Sequence, residues 1–205
     1  MFLVVEGIDG AGGSTQSKLI KNFLEDKGFK VELIKYPDYS NAIGKAIKSF
    51  LNRKFEINAE VQFYLFALDM LKDKEKIERN LREGKVVLCD RYIFSTFSYQ
   101  CFAKKFSLEK GLQIVKILNL PKPDLVILLD ISPQTSLKRK RKEKKKLDRH
   151  EEDLKLLSEV REGYFKIADM KIFSEEWVFI NAEKSIKEVF GEIKKVLVEK
   201  LDIRE

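Results

Sequence analysis

The chain has 205 residues, 44% apolar and 36% charged, with a formal net charge of +7. This apolar content, with 11% aromatic residues, excludes intrinsic disorder, and the length suits one domain over residues 1–205. No apolar run reaches the ~20 residues of a membrane span, the start MFLVVEGIDG lacks the features of a secretion signal, and Cys89, Cys101 and His150 are too few for a disulfide framework or a zinc site.

Taken in chain order, apolar runs alternate with helical patterns. Runs at 2–6 (FLVVE), 30–36, 86–90, 124–130 and 177–181 are short and largely apolar, as expected of strands covered on both faces of a parallel sheet. Between them Leu19, Ile20, Phe23 and Leu24 repeat at helical spacing before Gly28, and Ile43, Ile47, Phe50 and Leu51 do the same. The periodicity predicts one long helix over 61–77. Further helices are expected over 112–118, from Pro133, over 154–167 and over 186–197. Such alternation without a long linker predicts an α/β three-layer fold with a five-stranded parallel sheet.

The first strand runs directly into Gly7-Ile8-Asp9-Gly10-Ala11-Gly12-Gly13-Ser14-Thr15, and a helix follows at once. Strand, glycine-rich turn and helix is the context in which main-chain N–H groups converge on a phosphate at a helix N-terminus. Ser14 stands where the pattern G-x-x-x-x-G-K-[ST] places the hydroxyl that meets Mg²⁺. The pattern is broken at Gly13, which occupies the lysine position, and that lysine normally neutralises charge on the β/γ-phosphates. Asp90 and Arg91 end the third strand, where open α/β sheets bind ligands. Read on its own, Arg91 serves either a ligand or an ion pair with Asp90.

Glu6-Gly7-Ile8-Asp9-Gly10-Ala11-Gly12 resembles the phosphate loop of the thymidylate kinase family, commonly E-G-[IV]-D-G-x-G-K-[ST]. Asp90-Arg91-Tyr92 resembles the family's D-R-Y motif, Phe66-Ala67-Leu68-Asp69 the segment with its base-stacking Phe, and Leu147-Asp148-Arg149-His150-Glu151 the end of its lid. The resemblance implies a P-loop nucleoside monophosphate kinase that transfers the γ-phosphoryl group of ATP to dTMP with Mg²⁺, in a cytoplasmic homodimer. It places Arg91 on the acceptor phosphate, Asp9 near the phosphates or acceptor sugar, Ser14 and Asp90 at the metal, and residues 7–15 around ATP. It also places Tyr39 beside the deoxyribose and Phe66 on the base; after the D-R-Y motif come Ser95, Thr96, Tyr99 and Gln100, of which the last three share a helix face by spacing and are expected to meet the acceptor's base edge together. Without the resemblance, Phe66 reads as core, the Tyr36–Tyr39 loop as a surface turn and Ser95 as a helix cap. Many family members carry an Arg where this chain has Met70, a residue that also suits a core or a subunit contact.

Residues 138–149, KRKRKEKKKLDR, hold nine basic and two acidic side chains, and therefore the whole net charge. The resemblance makes residues 138–150 a lid whose Arg139, Arg141 and Arg149 stabilise the transferring phosphoryl group and offset the absent loop lysine. Lys144, Lys145 and Lys146 read as a solvated, phosphate-attracting face. Two other readings stay open: a nucleotide-binding paralogue with weak or no kinase activity, and a kinase for another pyrimidine monophosphate. A nucleic-acid surface is disfavoured, because the charge is confined to one segment without interleaved aromatics.

Overall fold

Five parallel strands stand in the order β2-β3-β1-β4-β5 in a computed structural model that describes residues 1–143 and 147–203. They are β1 (Phe2–Glu6), β2 (Val31–Lys35), β3 (Val86–Asp90), β4 (Leu125–Asp130) and β5 (Trp177–Asn181). All five residues of β1 and of β3 are buried. Because successive side chains point to opposite faces, uninterrupted burial means that both faces are covered. The edge strands β2 and β5 are half-buried.

Among the described residues nine helices connect and flank the strands: α1 (Gly13–Asp26), α2 (Ala42–Leu51), α3 (Ala59–Leu71), α4 (Lys74–Arg82), α5 (Ile93–Thr96), α6 (Leu108–Leu118), α7 (Pro133–Glu143), α8 (Leu154–Asp169) and α9 (Ile186–Lys200). A π-helical segment, Phe97–Ala103, continues α5. The expected helix over 61–77 is two helices. α3 ends at Leu71 and α4 restarts at Lys74, yet Ile77 is buried and carries the apolar stripe across the break. Helix α7 starts at Pro133 as expected, and Lys144, Lys145 and Lys146 lie outside the described residues.

Ile20 and Leu24 of α1, fully buried, meet the sheet, while Phe23 packs edge-on against Phe190 of α9 at 6.2 Å between centroids. Full burial of such a side chain contributes roughly 1.5–3 kcal/mol. A smaller apolar cluster of Ile47, Phe50 and Leu51 joins α2 to Leu65 and Phe66 of α3. No helix among the described residues is long and apolar enough to cross a membrane.

Every strand delivers its C-terminal residue to one edge of the sheet, and the loops there are tightly pinned. After β2 the chain passes through the cis Tyr36–Pro37 peptide to Asp38. The Asp38 carboxylate accepts bonds from the Ser40 hydroxyl (2.7 Å), the Ser40 N–H (3.0 Å) and the Asn41 side chain (2.9 Å). These bonds, led by the Ser40 hydroxyl, hold its pKa down at about 2. Asn41 then caps α2 by accepting from the Gly44 N–H. A Cβ on Gly44 would lie 1.7 Å from the Asp38 carbonyl oxygen. Gly44→Ala therefore sets a helix-propensity gain of about 1 kcal/mol against a clash with main chain. The clash wins, with a net loss of about 1–3 kcal/mol, to be read as a fall in the chemical-denaturation midpoint; an unchanged or raised midpoint would show that the loop yields freely.

Candidate active site at the strand ends

Gly7 opens the turn out of β1, and a Cβ there would sit 2.7 Å from the Leu129 carbonyl oxygen, so no larger residue fits. Gly12, at φ +98°, caps α1 in the left-handed conformation without any side-chain cap bond. The first-turn N–H groups of α1 have no acceptor within the helix, and together with the helix dipole they form an anion site. They open into a cavity of about 1030 Å³ lined by the whole loop from Gly7, Ile8, Asp9, Gly10 and Ala11 to Thr15. The Ser14 hydroxyl donates to Asp90 Oδ2 at 2.6 Å. Two hard oxygen donors side by side fit Mg²⁺ better than a soft metal. Among the described residues no group of three or more His, Cys, Asp or Glu side chains is placed to hold a metal by itself.

Beside this cavity lies a buried polar network centred on Glu6. Its carboxylate accepts bonds from the Tyr92 N–H (2.8 Å), the Ser95 N–H (3.2 Å), the Ser95 hydroxyl (2.7 Å) and the Tyr164 hydroxyl (2.9 Å). Burial raises the Glu6 pKa, against the lowering field of Arg91 and these bonds. Arg91 adopts φ +72°, a conformation rare outside glycine. Its guanidinium donates to Asp9 Oδ1 at 2.9 Å and to the Ser95 hydroxyl at 3.2 Å. Tyr99 donates to the other Asp9 oxygen at 3.0 Å. Burial pushes the Asp9 carboxyl up, but Arg91, His150 and Lys140 outweigh it and hold the pKa below the usual range. The ion pair with Asp90 that the sequence allowed for Arg91 is replaced by the pair with Asp9. Ser95 lies inside α5, and the cap position belongs to Tyr92, so the capping reading of Ser95 does not hold.

A second cavity, of about 590 Å³, adjoins the first and shares Asp9, Tyr39 and Arg91 with it. Phe66, Met70, Thr96, Tyr99 and Gln100 line it, so Phe66 faces a ligand-sized space in addition to packing against the α2 cluster. Met70 is 2% exposed and belongs to the core wall of this cavity, which removes it from any subunit contact. Thr96 Oγ1 is buried and makes no hydrogen bond, and a ligand edge in the cavity is a natural partner for it. The mixed aromatic and polar lining suits a small planar ligand.

The predicted lid divides. Ser136 donates to the Asp9 carbonyl oxygen, and Arg139 donates to the Gly10 carbonyl (3.1 Å) and the Ala182 carbonyl (2.8 Å), tying α7 to the glycine loop. Arg141 is exposed. Arg149 pairs with Glu56 at 2.6 Å and lies over the Phe50 ring, 4.1 Å from its centre. None of the three lines the phosphate cavity; the basic side chains that do, among the described residues, are Lys35, Arg91 and Lys140. Sequence reasoning passed over Lys35, Glu6 and Tyr164. The position of Lys35 at the end of a strand was the one local signal for it.

Comparison with known proteins agrees with this architecture. A family model described as thymidylate kinase matches residues 5–193. A probable thymidylate kinase of Pyrococcus horikoshii is 37% identical over 198 residues, covering 94% of this chain and 93% of that protein. One from Archaeoglobus fulgidus is 37% identical and covers 100% of this chain and 98% of its own. A thymidylate kinase of Geobacillus sp. strain WCH70 is 37% identical over 93% and 92% of the two chains.

His150 carries the pH dependence of the site. Its ring stacks on Tyr99 at 4.8 Å, and its Nε2 lies 2.8 Å from Lys104 Nζ. Burial, then the Lys104 charge, depress its pKa to about 3 from 6.5. The unfolded chain therefore binds the proton first: stability is complete above pH 6.5 and falls as the pH drops toward 3. Between pH 7 and 5 the loss is about 2 kcal/mol, and His150→Gln should flatten that part of the urea-denaturation profile. Identical slopes for the two proteins would refute the assignment.

Proposed function

The chain belongs to the thymidylate kinase family, and we propose from its two adjoining cavities that it transfers the γ-phosphoryl group of ATP to dTMP, giving ADP and dTDP. The observation that supports this is the half-buried Asp9–Arg91 pair on the boundary between a glycine-lined cavity and an aromatic one. In the transfer the bond from the γ-phosphorus to the β,γ-bridging oxygen breaks, and a bond to an acceptor phosphate oxygen forms. No nucleophile of the protein takes part, so its work is positioning and charge stabilisation.

The N–H groups from Gly10 to Thr15 grip the donor phosphates. Ser14 and Asp90 would hold Mg²⁺, which would supply neutralisation of phosphate charge. Arg91, fixed by Asp9 and Ser95, offers its guanidinium to the acceptor phosphate, where a planar fork matches two oxygens. Phe66 stacks on thymine, Thr96 and Tyr99 meet the acceptor, and Tyr39 borders its sugar. Arg139 positions the glycine loop through the Gly10 carbonyl. We read the chain as one cytoplasmic kinase domain that pairs as a homodimer. The exposed stripe Val61, Tyr64 and Leu68, spaced along one face of α3, is the surface such a pair would cover.

Release of ADP with dTMP, dUMP, UMP, CMP, GMP or AMP as acceptor tests the assignment. The highest turnover is expected with dTMP, and no ADP with any acceptor would overturn it. Arg91→Ala should lower kcat/KM for dTMP by about 10²–10³, the range for loss of one preorganised donor. An effect below tenfold would remove Arg91 from the acceptor site.

A further inference from the structure

Gly13 deprives the donor cradle of its ammonium group, and the sheet brings another to the same place. Lys35 ends β2, and its Cα is in register with Asp90 of β3. Registered neighbours project to the same side of a sheet, so the Lys35 side chain runs along Asp90 toward the glycine loop. Its Nζ contacts Ser14 Oγ and lies 3.2 Å from Asp90 Oδ2. A Cβ on Gly13 would fall 2.8 Å from the other Asp90 oxygen. Strand, carboxylate and loop thus meet at one point, and a residue at 13 with a side chain would displace the carboxylate on which Lys35 rests.

All three basic groups that line this cavity among the described residues have acidic partners, but Arg91 and Lys140 are the more enclosed, with side chains 20% and 14% exposed. Arg91 is bound to Asp9, and Lys140 is 2.9 Å from Glu143 and 3.2 Å from Glu151. Lys35 pairs with Asp90 and contacts Ser14, and its side chain is 57% exposed, with room to extend over a phosphate. The geometry points to Lys35 as a catalytic residue that supplies, from the neighbouring strand, the positive charge on the β/γ-phosphates that Gly13 omits. The inference rests on the donor site proposed above.

Three variants decide it: Lys35→Ala, Lys35→Arg, and Lys35→Ala combined with Gly13→Lys, each checked for an unchanged melting profile. Gly13 begins α1 in helical conformation, so a lysine there asks only that the Asp90 side chain turn. Lys35→Ala should lower kcat on the order of 10²-fold and weaken calorimetric binding of AMP-PNP with Mg²⁺, while Lys35→Arg keeps most of both. Adding Gly13→Lys should restore kcat by about tenfold, a coupling usual for groups that share one partner. A Lys35→Ala protein with unchanged kcat and AMP-PNP affinity, or one changed only in KM for dTMP, would overturn the assignment. If the wild-type chain fails to turn over dTMP, the function assignment fails, and AMP-PNP binding alone still reports whether Lys35 reaches the donor phosphates.

Discussion

The Glu6 carboxylate is the fixed point of the active-site end of the molecule. An ionisable group at the end of the central strand is expensive to bury and is tolerated only when its oxygens are filled by donors. Those donors come from three separate parts of the chain: the main chain at Tyr92, the first turn of α5 at Ser95, and α8 at Tyr164. The requirement to satisfy Glu6 therefore sets where β3 turns into α5. That turn in turn forces Arg91 into its left-handed backbone conformation, a strain that only a well-determined surrounding sustains. Arg91, so held, orients Asp9, and Asp9 joins the two cavities. Polar satisfaction at one carboxylate thus governs the registration of both substrate spaces.

Local features of the sequence translated directly into structure. The five apolar runs became the five strands to within a residue at their ends, because buried parallel strands leave an unmistakable apolar signature. The glycine loop was legible for the same reason, since strand, turn and helix N-terminus all lie within one short stretch. The break between α3 and α4 was not, because Ile77 resumes the apolar face after Asp73 and periodicity cannot register a hinge that keeps its phase. Partnerships across the sheet were equally hidden. Tyr164 reaches Glu6 from 158 positions away, and Lys35 reaches Asp90 only through strand register. The roles expected of Arg139, Arg141 and Arg149 followed from the resemblance of their segment to a lid, whereas the direction in which each guanidinium points depends on acceptors such as Glu56 and the Ala182 carbonyl.

The fastening of α7 to the glycine loop has a consequence at long range. Ser136 and Arg139 anchor the start of the basic segment on the Asp9 and Gly10 carbonyls, while the rest of the chain is electrically neutral in sum. The described residues 138–143 of that segment, five basic and one acidic, therefore set a positive patch at the mouth of the phosphate cavity, which Lys140 lines. A polyanion diffusing nearby is turned and drawn toward that mouth before any contact forms, and because the field fades within roughly 8–10 Å in physiological electrolyte, the frequency of productive collisions is set by ionic strength as much as by the shape of the cavity.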